Sequence, residues 1–192
     1  QPTVVKDLDK TTTHIGDVIT YTVTIAAKSG AENYVLHDKM TAGLTFDSTS
    51  VKVNNAALTA EAGTLNQNIT DGCTFELVFT KAFCDSLTDS NVVVTYTATL
   101  NKEAIQSGVG TNDVYLAYGE SNETAHSIVN TYVGKLPVYK FAMVKAEGAT
   151  TAEEKALEGA KFVLRKGADQ YYKVDATTKE VTWVAKGDAT VL

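Results

Sequence analysis

Residues 16–27 read GDVITYTVTIAA, and their alternation decides the fold. Ile19, Tyr21, Val23 and Ile25 fall on one face of an extended chain, while Thr20, Thr22 and Thr24 fall on the other. Successive side chains of a strand point to opposite sides, so this is a strand with one buried face and one wet, threonine-lined face. Residues 91–100, NVVVTYTATL, repeat the pattern with Val92, Val94, Tyr96, Ala98 and Leu100 inward. ENYVLHD, STSVKVN, CTFELVF, NDVYLAYGE and SIVNTYV are further strand candidates, separated by loops rich in Gly, Asn, Asp and Ser. KAFCDSL and NKEAIQS have room for a helical turn or two. Many short half-buried strands at this spacing predict an all-β chain of immunoglobulin-like β-sandwiches.

The chain has 192 residues, enough for one large or two ordinary domains. Pro2 and Pro137 are its only prolines, and a composition rich in Thr, Val, Ala, Tyr and Gly favours strands and tight turns. A net charge of -6 argues against nucleic acid or an anionic membrane as partner. No run is apolar and long enough to predict membrane insertion. Cys73 and Cys84 show no CxxC spacing; a disulfide between them is the alternative to the favoured reading, partly buried free thiols, one opening a strand and one following it. His14, His37 and His126 are scattered among different segments, and nothing near them spells a zinc site or a catalytic triad. No metal or cofactor is expected.

Face counting finds three polar residues on apolar faces. In VVKDLDK, Val4, Lys6 and Leu8 point one way while Val5, Asp7 and Asp9 point the other. In NYVLHDKM, Asp38 aligns with Tyr34, Leu36 and Met40. In TNDVYLAYGE, Asn112 aligns with Val114, Leu116 and Tyr118. Each has a plain reading: Lys6 snorkels from a strand end, Asp38 begins a turn, Asn112 caps a strand. Together they suggest chemistry. A desolvated lysine loses its proton more readily and becomes a nucleophilic amine, while a carboxylic acid in the same apolar pocket stays protonated. That acid hydrogen-bonds the asparagine amide oxygen and shuttles protons as the amine attacks and ammonia leaves. The product is a Lys–Asn isopeptide bond with no ammonium left in the core.

At these residues the sequence resembles a known family. VVKDLDK, HIGDVITYTVTI and YVLHDKMTAGLTF are similar to the fimbrial isopeptide-forming module, the D2 or A-type collagen-adhesin domain, of sortase-assembled Gram-positive shaft pilins (SpaA-type). The resemblance covers about residues 3–134 and implies that Lys6 and Asn112 form the cross-link while Asp38 assists. Met40-Thr41-Ala42 stands where the family commonly has a leucine-proline pair, a loop difference that leaves the three residues untouched.

The domains are expected at 1–134 and 135–192. In the second, KLPVYKFAMVK, LEGAKFVLRK, DQYYKVD and EVTWVAK read as strands around a polar loop, EGATTAEEKA. This stretch resembles the first part of a B-type collagen-adhesin domain, whose first-strand lysine corresponds to Lys145; Lys140 lies on the opposite face. The family's assisting glutamate and its asparagine have no counterpart, so Lys145 is expected to lack a bond partner within this chain. Four strands leave half a sandwich core open, and the natural protein is expected to continue past Leu192.

The resemblance implies a structural subunit of a covalently polymerised, cell-wall-anchored extracellular pilus, with neighbouring pilin subunits and a sortase as partners. It is not an enzyme, because the cross-link is one self-directed turnover. LPVYK at 136–140 reads as a strand start, not a sorting signal. The alternative is a surface adhesin that holds a host protein or glycan through loops such as TLNQNITDGC or YGESNETAHS. A third class, a hydrolase using Glu120, Glu123 and His126, requires carboxylates paired across a pocket.

Overall fold

The computed structural model describes residues 1–134, 138–177 and 181–192. It divides into two compact units, Gln1–Gly134 and Lys135–Leu192, and each is described by itself.

In the first unit the strands are β1 (Thr3–Leu8), β2 (Thr12–Thr13), β3 (Val18–Ala26), β4 (Val35–Met40), β5 (Leu44–Val53), β6 (Ala56–Ala57), β7 (Gly63–Asn66), β8 (Phe75–Phe79), β9 (Asn91–Leu100), β10 (Val109–Tyr118), β11 (Asn122–Glu123) and β12 (Ser127–Val133). Two short helices, α1 (Lys81–Asp85) and α2 (Ala104–Ser107), flank β9. One sheet runs β1-β3-β9-β5-β6; the other runs β2-β12-β10-β4-β8-β7, with β11 on β10. The alternation read from β3 and β9 is the observed burial: their inward residues are all buried, and so are Leu36, Val114, Leu116, Phe75 and Leu77 from the opposing sheet. The two inner faces form one core, as in a β-sandwich.

Local chemistry sets the strand ends. Asn54 and Asn55 both have positive φ (49° and 66°) and make the two-residue turn between Val53 and Ala56, so the strand predicted through Asn54 stops at Val53. The β5–β9 register is interrupted between Asp47 and Lys52, where side chains take over the ladder. Thr49 N donates to Asp47 Oδ1 at 3.0 Å, and Thr97 N to Ser50 Oγ at 2.8 Å. Thr80 caps α1, its Oγ1 accepting from Phe83 N at 3.1 Å. The loop expected over TLNQNITDGC begins with a strand, β7. Gly63 permits it, since a Cβ there would lie 2.7 Å from the Val78 carbonyl oxygen.

The second unit departs further from expectation. Its strands are β13 (Phe141–Val144), β14 (Glu153–Ala156), β15 (Arg165–Lys166), β16 (Gln170–Val174) and β17 (Val181–Val184). β13 pairs with β14, which falls within the expected polar loop. Backbone hydrogen bonds form this hairpin although every side chain of β14 is exposed. LEGAKFVLRK is mostly irregular, with only Arg165–Lys166 in a strand beside β16. Lys135–Pro137, including the start of LPVYK, lies outside the described residues, as does Glu180 at the start of EVTWVAK. No helix among the described residues is long and apolar enough to cross a membrane.

Candidate functional site

Lys6 lies on β1, the edge strand of the first sheet, opposite Val23 of β3. Its own backbone N–H points away from that ladder and donates to Ser127 Oγ of β12 at 2.9 Å, which holds the edge against the second sheet. Asp38 and Asn112 lie on adjacent strands of that sheet. β4 and β10 pair with Asp38 opposite Val114 and Met40 opposite Asn112, so the two polar residues sit diagonally on the inner face. All three side chains are buried: relative exposure is 4% for Lys6 and 0% for Asp38 and Asn112.

The structure brings them together. Lys6 Nζ donates to Asp38 Oδ2 and to Asn112 Oδ1, each at 2.6 Å. The amide carbon lies one carbonyl bond of about 1.23 Å beyond that oxygen, hence within about 3.8 Å of the amine. The amine, rather than the Asp38 carboxyl expected there, donates to the Asn112 oxygen. A tyrosine connects the acid to the other end of the amide. Tyr96 Oη donates to Asp38 Oδ2 and accepts from Asn112 Nδ2 at 3.3 Å. Tyr96 and Tyr21 stack with centroids 5.5 Å apart, and Lys6 Nζ lies 5.7 Å from each ring. Phe46 and Phe75 meet Tyr96 edge-on and close the wall.

Burial dominates the electrostatics. It pushes the Lys6 amine below its ordinary value, opposed by the charge and hydrogen bond of Asp38. It pushes the Asp38 carboxyl up, opposed by Lys6 and by the Tyr96 hydroxyl. Burial also raises Tyr96 well above the ordinary phenol value. Both shifts move the pair toward its neutral form, amine beside carboxylic acid. Among the described residues Asp38 Oδ1 and the Tyr21 hydroxyl have no hydrogen-bond partner, so the pocket carries unspent polar capacity.

Sequence reasoning missed Tyr21 and Tyr96. Both were read as core residues of β3 and β9; the available signal was that a buried tyrosine hydroxyl requires a partner. Lys145 is exposed just past β13, and Lys140 is exposed just before it. Phe141 and Met143 are exposed as well, at 40% and 59%, so the face assigned to Lys145 is not a core face in this structure. Glu120 and Glu123 are exposed, while His126 Nδ1 pairs with Asp113 Oδ2 at 2.8 Å. Those three do not form paired carboxylates across a pocket.

Cys84 is buried in α1 and Cys73 half-buried before β8, both as free thiols. Burial pushes the Cys73 thiol up to about 12. The histidines are less isolated than their sequence positions suggest. Antiparallel pairing of β4 with β8 carries His37 to Asp71 and Cys73, a juxtaposition that sequence spacing does not reveal. A groove of about 480 Å³, lined by Leu65–Asp71 and Glu76, opens beside them.

No family model and no curated protein matches the chain. Solved structures do match. The full-length major pilin SpaD from Corynebacterium diphtheriae is similar over 100% of this chain and 48% of its own, at 19% identity and TM-score 0.60. The full-length major pilin RrgB from Streptococcus pneumoniae matches 100% of this chain and 34% of its own, at 21% identity and TM-score 0.53. The N-terminal domain of the Streptococcus gordonii adhesin Sgo0707 matches 68% of this chain and 32% of its own, at 18% identity and TM-score 0.56. The chain spans about a third to a half of the length of these proteins. At such identities the likeness is one of fold: this is the immunoglobulin-like β-architecture of Gram-positive pilins and adhesins.

Proposed function

We propose that the chain is a load-bearing stalk module of a polymerised cell-surface pilus, locked by an autocatalytic Lys6–Asn112 isopeptide bond. The single observation that carries this reading is the buried cluster of amine, acid and amide bridging the two sheets. The fold likeness to the major pilins SpaD and RrgB supports it.

The chemistry balances within the pocket. The neutral Lys6 amine attacks the Asn112 amide carbon, forming Nζ–Cγ. As Cγ–Nδ2 breaks, Tyr96 Oη delivers its proton to Nδ2 and takes the acid proton of Asp38 in its place, and ammonia departs. The carboxylate left on Asp38 takes up the proton lost from Nζ, so both side chains end as they began. Folding supplies the rate by fixing amine and amide in contact, which turns a slow bimolecular condensation into an intramolecular step. Asp38 acts as the assisting acid and base, and Lys145 takes no part.

Two experiments test the two levels separately. Trypsin digestion followed by mass spectrometry is expected to give one branched peptide joining the Lys6 and Asn112 segments, lighter by one ammonia than the two apart. Two separate linear peptides would overturn the cross-link. An immunoblot of cell-wall extract is expected to show a ladder of detergent-resistant polymers carrying this chain, assembled by a sortase. A single monomer band would refute the shaft role and leave the cross-link intact. That outcome would favour the adhesin reading, in which the polar groove beside β7 holds a host protein or glycan; the likeness to the Sgo0707 adhesin domain supports it.

A further inference from the structure

On the outer face of the second sheet, away from the buried cluster, a second group of side chains converges. We propose that His37, Asp71 and Cys73, with Glu76 beside them, form a binding site for a zinc-like divalent cation. His37 projects from β4 and Glu76 from β8 at the position directly opposite, so the two share a face. The Asp71–Cys73 turn is tied to the same place, since Thr74 N donates to the Asp38 carbonyl at 2.6 Å and Met40 N to Thr74 Oγ1 at 2.8 Å.

Asp71 and His37 are each oriented by a contact outside the cluster's ligand atoms. Cys73 N donates to Asp71 Oδ1 at 2.8 Å, which leaves Oδ2 turned to His37 Nδ1 at 2.9 Å. The His37 ring is stacked on Tyr115 with centroids 4.5 Å apart and planes 5° from parallel. Cys73 Sγ lies 4.0 Å from the same Nδ1, Glu76 Oε1 lies 3.5 Å from it, and the nitrogen, carboxylate oxygen and sulfur of the triad are all within 4.8 Å of one another.

A tetrahedral zinc ion with bonds of about 2.0–2.3 Å sets its ligand atoms roughly 3.4–3.8 Å apart. The contacts here bracket that spacing, so ligation requires side-chain shifts of only about half an ångström for the Asp–His pair. Sulfur with imidazole and carboxylate selects zinc, or cobalt as its spectroscopic surrogate, over calcium or magnesium, which take all-oxygen shells. On binding, the Cys73 thiol proton leaves to buffer as the sulfur–metal bond forms. Asp71 and Glu76 also line the adjoining groove, so a fourth position is open to Glu76 or to a small donor entering from solvent.

The test is a cobalt titration of the full reduced chain. One equivalent of Co²⁺ is expected to raise a thiolate-to-cobalt charge-transfer band with tetrahedral visible bands, all displaced by Zn²⁺. Cys73→Ser is expected to abolish the charge-transfer band, and Cys73→Ser and His37→Gln each to weaken zinc binding at least tenfold by calorimetry. Cys84→Ser, in α1, is expected to change neither. Absence of the band in the unaltered chain, which needs no variant to fold, overturns the proposal. Equal zinc affinity in Cys73→Ser and His37→Gln overturns it too, leaving a plain Asp–His hydrogen bond.

Discussion

Replacing Asp38 by Asn keeps the shape of the side chain and removes the proton carrier, so the variant separates the cross-link from the packing around it. If the bond forms in the native chain, it closes a loop between residues 106 apart in sequence. A cross-link over a loop of this length removes unfolded-state entropy worth about 4–5 kcal/mol. For a domain of this size each kcal/mol moves the melting temperature by about 3–5 °C, so the native chain should melt about 12–25 °C above Asp38→Asn. Lys6→Met provides a second unbonded reference whose apolar side chain suits the pocket, in case an amine facing an amide in place of an acid prevents folding. Intact-mass spectrometry and calorimetry on the three proteins give bond and stability together. The native chain should weigh one ammonia less than its sequence, and both variants should show their full mass. Full mass in the native chain would falsify the cross-link, and a deficit that persisted in Lys6→Met would assign it elsewhere. A bonded native chain melting within about 5 °C of both variants would refute the entropic reasoning.

Tyr96→Phe removes the hydroxyl between Asp38 and Asn112 Nδ2; losing one buried hydrogen bond of about 1–3 kcal/mol in the transition state should slow bond formation by about tenfold or more, read as mass against time after refolding. Formation should also follow a bell in pH: acid adds a second proton to the Lys6–Asp38 pair and silences the amine, whereas alkali strips the acid, and a flat rate would exclude this pair. In Lys6→Met the Asp38 carboxyl keeps its raised value, so the folded state holds a proton that the unfolded chain releases near the ordinary value of 3.8. Its stability should be fullest below that value and decline as pH rises toward the folded one, seen as a falling urea midpoint. Gly43→Ala would drive a Cβ to 2.7 Å from the Cβ of Ala104; this overpacking should cost about 1–3 kcal/mol while the bond still forms, measured by calorimetry and intact mass.

Period-two alternation carried most of the first unit. It turns Lys6, Asp38 and Asn112 inward because each shares a face with residues that are themselves buried, whatever the strand order. What alternation does not carry is register. Nothing in the sequence states that β4 meets β8 with His37 opposite Glu76, so the His37–Asp71–Cys73 group emerges only from the folded chain. Tyr96 was hidden for a different reason: its ring belongs on the apolar face, and only the hydroxyl tip, placed by packing between sheets, touches the polar cluster. In the second unit the apolar pattern misleads. β14 is exposed throughout and forms through main-chain pairing alone, whereas LEGAKFVLRK has apolar residues enough for a strand but is largely irregular.

Asn112 sits on β10, and β12 follows it before the unit ends at Gly134. A link from Lys6 to Asn112 would therefore leave the end of β10, the short β11 and the whole of β12 outside the closed ring of chain. β12 is held to β10 by an antiparallel ladder from Val109–Tyr132 to Val114–Ser127, and its far end meets β2 in parallel. Pulled from both termini, such a module cannot pay out the chain between residues 6 and 112, but it can release β12. The roughly 20 residues beyond Asn112 lengthen by at most about 75 Å when fully drawn out, against several hundred for the whole unit. The molecule would then behave as a tether with a short, re-zippable give at one end and a hard stop behind it.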